Sequence, residues 1–348
     1  MRSIIAGFVA LLLSSAVHAA TPVEGDVVLH DFHFHSGQVM PELRIHYRTL
    51  GERSGEPVLI LHGTGQTGAG MLNPNFAGPL FNEGAPLDPA KYFIILPDAI
   101  GTGGSTKPSD GMRAHFPDYD YTDMVEGQYR LITEGLGLHH LRLVLGNSMG
   151  GMQTWLWAEQ HPDFSDGFVP MASQPTAMAS RNWMMRRMLV ETIRADPAYA
   201  GGNYTTEPPL LRYITTMFGI ATSGGTLAWQ AQAPSSAAAD KLVQGMLAAP
   251  PPRDANDFVY QWASSQDYDA EPGLSRITAP LLAINSADDE RNPAETGITA
   301  RAVTQVAKGE YYLVPASNET RGHGTTAYAK FWAAKLRDFL ASLPEHEN

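Results

Sequence analysis

The apolar run Leu141-Arg-Leu-Val-Leu145 passes without a break into Gly146-Asn-Ser148-Met-Gly150-Gly151, and a helix-like segment, Gly150 to Gln160, follows. A buried strand, a tight turn and a helix in that order restrict the chain more than any other feature it has. Glycines stand at 146 and 150 because side chains two residues either side of Ser148 would collide in so sharp a turn. The serine hydroxyl then projects beyond the carboxyl end of the strand. The helix aims its unpaired N–H groups and partial positive charge at the same point. The pentapeptide alone is a weak signal; the strand before it and the helix after it distinguish a nucleophile-bearing turn from a glycine-rich bend.

Other short apolar runs repeat the theme. Pro57–His62 and Tyr92–Pro97 read as buried parallel strands. Asp31 to Tyr47 reads as two strands about a Ser36-Gly37 turn, and Thr122 is expected to cap a helix running to Leu136. Alternating strands and helices predict an α/β class with a mostly parallel sheet flanked by helices. The alternation stops near Pro175, is helical and irregular to about Asp269, and resumes with strands at Pro280–Ile284 and Tyr311–Val314. Amphipathic Ala327 to Leu340 closes the chain. The expected organisation is a core of 21–174 and 271–348 interrupted by an inserted helical cap, 175–270.

The N-terminus carries Arg2, an apolar stretch from Ile4 to Val17 and small residues at Ala19-Ala20. This is the pattern of a secretory signal peptide over 1–20, so an exported, periplasmic or secreted product is expected. The stretch is short of the ~20 residues a spanning helix needs, so no membrane span is expected after cleavage. The 348 residues include no cysteine, which favours a large self-sufficient core and excludes a thiol nucleophile or thiolate metal site. A net charge of −12 without a long basic run argues against nucleic acid or an anionic membrane as partner and leaves a small molecule.

Serine needs a base to take its proton, and the base needs a third group to fix its tautomer. On the α/β-hydrolase fold these follow in the order serine, acid, histidine. His323 is the only histidine between His161 and the C-terminal tail, and Asp288 and Asp289 both follow the strand ending at Ile284. Two N–H groups are expected to hold the oxyanion, that of Met149 and that of Thr64 in His62-Gly-Thr-Gly65. Gly63, Gly65 and Gly68 also match a dinucleotide fingerprint, which is weak where the loop already has a role. His30, His33 and His35 lack acidic partners and read as a structural strand, and Gly101–Ser105 lacks the lysine of a phosphate loop. No metal and no cofactor are expected. Met184, Met185 and Met188 read first as cap packing, with Met184 a candidate for the substrate pocket.

Taken together, Ser148-Met-Gly-Gly-Met-Gln153 with a tryptophan soon after, Phe116-Pro, Thr122-Asp-Met-Val125, Gly104-Ser-Thr106 with Pro108, Asp196-Pro197 with Gly201-Gly202 and Tyr204, and Gly322-His323 resemble the homoserine O-acetyltransferase branch of the α/β hydrolases. The likeness runs from about Phe32 to Leu340 and is weakest over 205–255. It implies an acyl-serine intermediate, a helical lid, no metal and a homodimer paired through the cap. Pro293, four residues beyond Asp289, resembles the Asp-x-x-x-Pro turn of related enzymes and favours Asp289 over Asp288. Two departures bear on the reaction. Thr216 stands where the transferases carry a carboxylate-gripping arginine, with Arg212 one turn earlier as a substitute, and Asn147 replaces a glycine. Since acetyl-CoA is cytosolic, the expected reaction is hydrolysis of a carboxylic ester by an exported serine hydrolase. O-acyl transfer is the alternative. A non-catalytic binding protein would have little reason to keep serine, acid and histidine in order.

Overall fold

The computed structural model describes residues 21–250 and 254–344, so the expected signal segment lies outside the described residues. Eight strands form one sheet: β1 (Val23–His33), β2 (Val39–Leu50), β3 (Glu56–Leu61), β4 (Tyr92–Pro97), β5 (Leu143–Asn147), β6 (Phe168–Met171), β7 (Leu281–Ser286) and β8 (Gly309–Val314). Their spatial order is β1-β2-β4-β3-β5-β6-β7-β8. β1 and β2 form an antiparallel hairpin and β2 meets β4 antiparallel; every later pairing is parallel. The helices are α1 (Pro74–Phe81), α2 (Tyr121–Arg130), α3 (Met149–Gln160), α4 (Ser180–Arg194), α5 (Pro209–Thr222), α6 (Thr226–Gln232), α7 (Ser236–Ala248), α8 (Ala255–Ala263), α9 (Ile298–Val303) and α10 (Ala333–Ser342).

The central strands are apolar throughout because both faces are covered. Successive side chains alternate between two cores. Leu59, Leu61 and Val144 join Met124 of α2 and Trp155 of α3 on one side. Val58, Ile60, Leu143 and Leu145 join Phe76 of α1 and Leu336 of α10 on the other. Between β6 and β7 the chain builds α4 to α8, whose residues Leu189, Ile193, Leu211, Phe218, Phe258 and Trp262 make a third core of their own.

Four details differ from the sequence reading. β5 starts at Leu143 and extends through Asn147, so the strand carries the chain right up to the turn. β6 has four residues including Pro170, too short a run to show a period. The cap of α2 is Asp120: its carboxylate accepts from Asp123 N at 3.0 Å, while Asp123 accepts from Asp120 N at 2.9 Å. This reciprocal box starts the helix one residue before Thr122. Finally, β1 ends at His33, so His35 lies in the turn, with Nδ1 2.7 Å from Asp120.

Candidate active site

Ser148 joins β5 to α3 with φ 57 and ψ −110, a left-handed conformation rare for a residue with a Cβ. The glycines answer to backbone. A Cβ at Gly146 would lie 2.0 Å from Gly150 O, and one at Gly150 would lie 2.2 Å from Leu61 O. Ser148 N donates to Met171 O at 2.9 Å and Gly150 N to His62 O at 3.1 Å, so β6 and the loop after β3 hold the turn in place.

From this turn Ser148 Oγ lies 2.8 Å from His323 Nε2, and His323 Nδ1 lies 3.0 Å from both carboxylate oxygens of Asp289. A carboxylate only accepts, so the ring proton sits on Nδ1 and leaves Nε2 to accept from the serine hydroxyl. The three are buried, at 5%, 8% and 2% exposure for Ser148, His323 and Asp289. Burial lowers the pKa of His323; the Asp289 charge opposes this, and the Arg291 and Arg186 charges add to it. Burial alone would raise Asp289, but the His323 charge and hydrogen bonds from His323 and Asn292 hold it down to about 2. The pair therefore rests as neutral imidazole and carboxylate, the state in which such a chain can accept a serine proton.

Asp288 faces elsewhere: it accepts from Ser286 Oγ at 2.5 Å and from Thr320 Oγ1 at 2.7 Å. It fastens the His323 loop, while Asp289 holds the ring. Asn292 joins them, its Nδ2 donating to Asp289 Oδ2 at 3.0 Å and to Ala172 O at 2.9 Å. Glu290 accepts from His323 N at 3.2 Å and from Gly225 N at 2.9 Å. Neither residue was singled out from the sequence. Their one signal is position in the turn between Asp289 and Pro293.

Met149 N–H is the first of α3, a position without an intrahelical acceptor. The loop bearing Thr64 lies against the turn, where a Cβ at Gly63 would be 3.5 Å from the Ser148 Cβ. That loop is braced twice: Gly63 N donates to Gln66 Oε1 at 3.2 Å, and Gly65 N to Gln261 Oε1 of α8 at 2.6 Å. The remaining pocket candidates fall apart from this group. Arg212 lines a cavity with Glu207, Pro208, Pro209 and Tyr213. Thr216 is half-buried on α5. Met184 is 60% exposed, because the buried side of α4 is Arg186, Leu189, Val190 and Ile193. Among the described residues no helix is long and apolar enough to cross a membrane, and no group of three or more histidine, cysteine or acidic residues could hold a metal ion.

Sheet order, serine turn and following helix together define an α/β hydrolase. Residues 56–300 match the family model described as alpha/beta hydrolase fold, and the chain belongs to that family. Within it the chain is similar to homoserine O-acetyltransferases: that of Nautilia profundicola is 31% identical over 51% of this chain and 52% of its own length. That of Halorubrum lacusprofundi is 27% identical over 92% of this chain and 84% of its own. The chain thus spans about half the length of the first of these relatives. Among solved structures, an acetylester hydrolase from Corynebacterium glutamicum superposes with a TM-score of 0.79 at 22% identity, covering 92% of this chain and 96% of that one. Homoserine O-acetyltransferase from Bacillus anthracis gives 0.79 at 19% identity, with 94% and 99% covered. At these identities the likeness speaks for the fold.

Proposed function

We propose that the protein is a serine-nucleophile acyl-transfer enzyme that hydrolyses a carboxylic ester through an acyl-serine intermediate. The observation that carries this reading is the unbroken chain Ser148 Oγ–His323 Nε2, His323 Nδ1–Asp289, set at a serine turn. In the proposed reaction Ser148 attacks the ester carbonyl as His323 takes its proton. Asp289 orients the ring, and the N–H groups of Met149 and Thr64 receive the oxyanion. His323 then protonates the leaving alcohol and activates the water that releases the acid.

O-acyl transfer by the same groups is the second reading, favoured by the similarity to homoserine O-acetyltransferases. Hydrolysis is preferred because Thr216 stands where those enzymes are expected to carry arginine, and Arg212 lines a different cavity. Residues 175–270 serve as a cap over the site in this proposal. Residues 1–20 direct export to the periplasm or beyond, where acetyl-CoA is absent. Two copies pair through the cap, since Met184 and Met188 on α4 and Tyr213, Met217 and Ile220 on α5 are large apolar side chains left exposed.

The test is hydrolysis of p-nitrophenyl acetate, butyrate and octanoate by the mature protein beside Ser148→Ala. Burst kinetics and turnover that vanishes in the variant are expected. Equal rates in both proteins, or faster acetylation of homoserine from acetyl-CoA than ester hydrolysis, would reject it.

A further inference from the structure

The turn that carries Thr64 is held from several sides. Gly63 O accepts from Gln66 N at 3.1 Å, closing residues 63–66 as a type II turn with Gly65, at φ 74, in the left-handed position. The same carbonyl lies 2.9 Å from His62 Nδ1. His62 Nε2 accepts from Ala99 N at 3.0 Å, so the ring proton sits on Nδ1 and donates to Gly63 O. Gly63 N donates to Gln66 Oε1 at 3.2 Å, Gly65 N to Gln261 Oε1 at 2.6 Å, and Thr102 Oγ1 to Gln66 O at 3.2 Å. Two donors are left over, and both belong to Thr64. Its N–H donates to no group among the described residues, and its hydroxyl oxygen is buried without a hydrogen-bond partner.

A buried hydroxyl without a partner is costly. The turn itself does not ask for one, because the conformational demand of a type II turn falls on Gly65 and not on the residue before it. The place of the hydroxyl accounts for it. A Cβ at Gly63 would lie 3.5 Å from the Ser148 Cβ, so the turn packs against the nucleophile. Across from it, Met149 N is the first N–H of α3 and has no intrahelical acceptor. In two of its three staggered rotamers a threonine Oγ1 lies roughly 3 Å from its own backbone N. An oxygen that accepts from Thr64 N is then within reach of the Thr64 hydroxyl as well.

We propose that the Thr64 hydroxyl is a third donor to the oxyanion, beside the N–H groups of Met149 and Thr64, and so a further catalytic residue. This deepens the acyl-transfer reading and rests on it. As Ser148 Oγ bonds the carbonyl carbon, its proton passes to His323 Nε2 and the carbonyl π pair moves onto oxygen. Thr64 keeps its own proton and points it at that oxygen. In the resting site the hydroxyl has no acceptor to give up, so its bond is gained where the charge develops.

Thr64→Val removes the hydroxyl and keeps the shape, whereas Thr64→Ser keeps the hydroxyl. With p-nitrophenyl acetate, Thr64→Val should lose about a hundredfold in kcat with little change in KM, as when one oxyanion donor is removed. Thr64→Ala should lose as much, and Thr64→Ser should stay close to wild type. Thr64→Val should melt no lower than wild type, since the group it loses is buried and unpaired. A raised KM with unchanged kcat, or Thr64→Ser as slow as Thr64→Val, would overturn the third donor.

Trifluoroacetone separates this inference from the hydrolase reading, because it forms a hemiketal oxyanion on the serine without turning over. Followed by fluorine NMR, its affinity should fall about a hundredfold in Thr64→Val and hold in Thr64→Ser. An adduct that depends on the hydroxyl, without ester turnover, would uphold the donor and reject the hydrolase. Turnover indifferent to the hydroxyl would do the reverse. Neither adduct nor turnover in wild type would reject both.

Discussion

Asp289 meets the His323 ring through both carboxylate oxygens, while Asp288, one residue earlier, ties Ser286 to Thr320. Replacing Asp289 with asparagine removes the charge that stabilises the imidazolium and favours the wrong ring tautomer. The expected loss in kcat is roughly a thousandfold to ten-thousandfold. Asp288→Asn keeps the ring's partner, so a loss of about tenfold or less in kcat is expected, together with about 1 kcal/mol of stability from the weakened loop. Steady-state kinetics and urea unfolding of both variants check this contrast. Two adjacent aspartates are indistinguishable by spacing to the preceding strand; the likeness of Asp289 and Pro293 to a family turn is what favoured one. Asn292 was invisible because an asparagine in a turn is ordinary, and its double duty to Asp289 and Ala172 O depends on contacts distant in sequence.

At the scale of elements, the serine turn is set by backbone approach. A methyl group at Gly150 would meet Leu61 O at 2.2 Å, and a carbonyl in a central strand cannot step aside. Gly150→Ala should therefore cost about 3 kcal/mol. Gly245→Ala, inside α7 with open space around it, should gain about 0.5–1 kcal/mol. Chemical denaturation of the two variants gives both values. The same local strictness explains what could be read in advance. Strands buried on both faces show as continuous apolar runs, and the Gly-x-Ser-x-Gly signal is a local steric necessity. β6 escaped because four residues are too few to show a period and Pro170 among them reads as a strand breaker; the strand is held by pairing with β5 and β7. The start of α2 lies two residues before the expected one because Thr122 and Asp120 are both good caps; the box with Asp123 decides between them.

For the molecule as a whole, exposed Met184, Met188, Tyr213, Met217 and Ile220 on two packed helices predict association. Light scattering of the purified protein should give twice the chain mass, and Met217→Glu should return it to the monomer mass, leaving its helical content unchanged. How the inserted helices α4 to α8 dock on the sheet domain could not be read from the chain, because their contacts span great sequence distance. Gln261 reaches Gly65 across 196 positions. That one contact has a further meaning. Gln261 belongs to the segment proposed as a cap, and the amide it holds belongs to the loop that carries Thr64. Swinging the cover away would uncover Ser148 and release that loop in the same movement. On the proposed reading, a molecule too bulky to fit beneath the closed cap would then meet a serine without its full complement of donors, which would make the size limit on substrates and the readiness to react one setting.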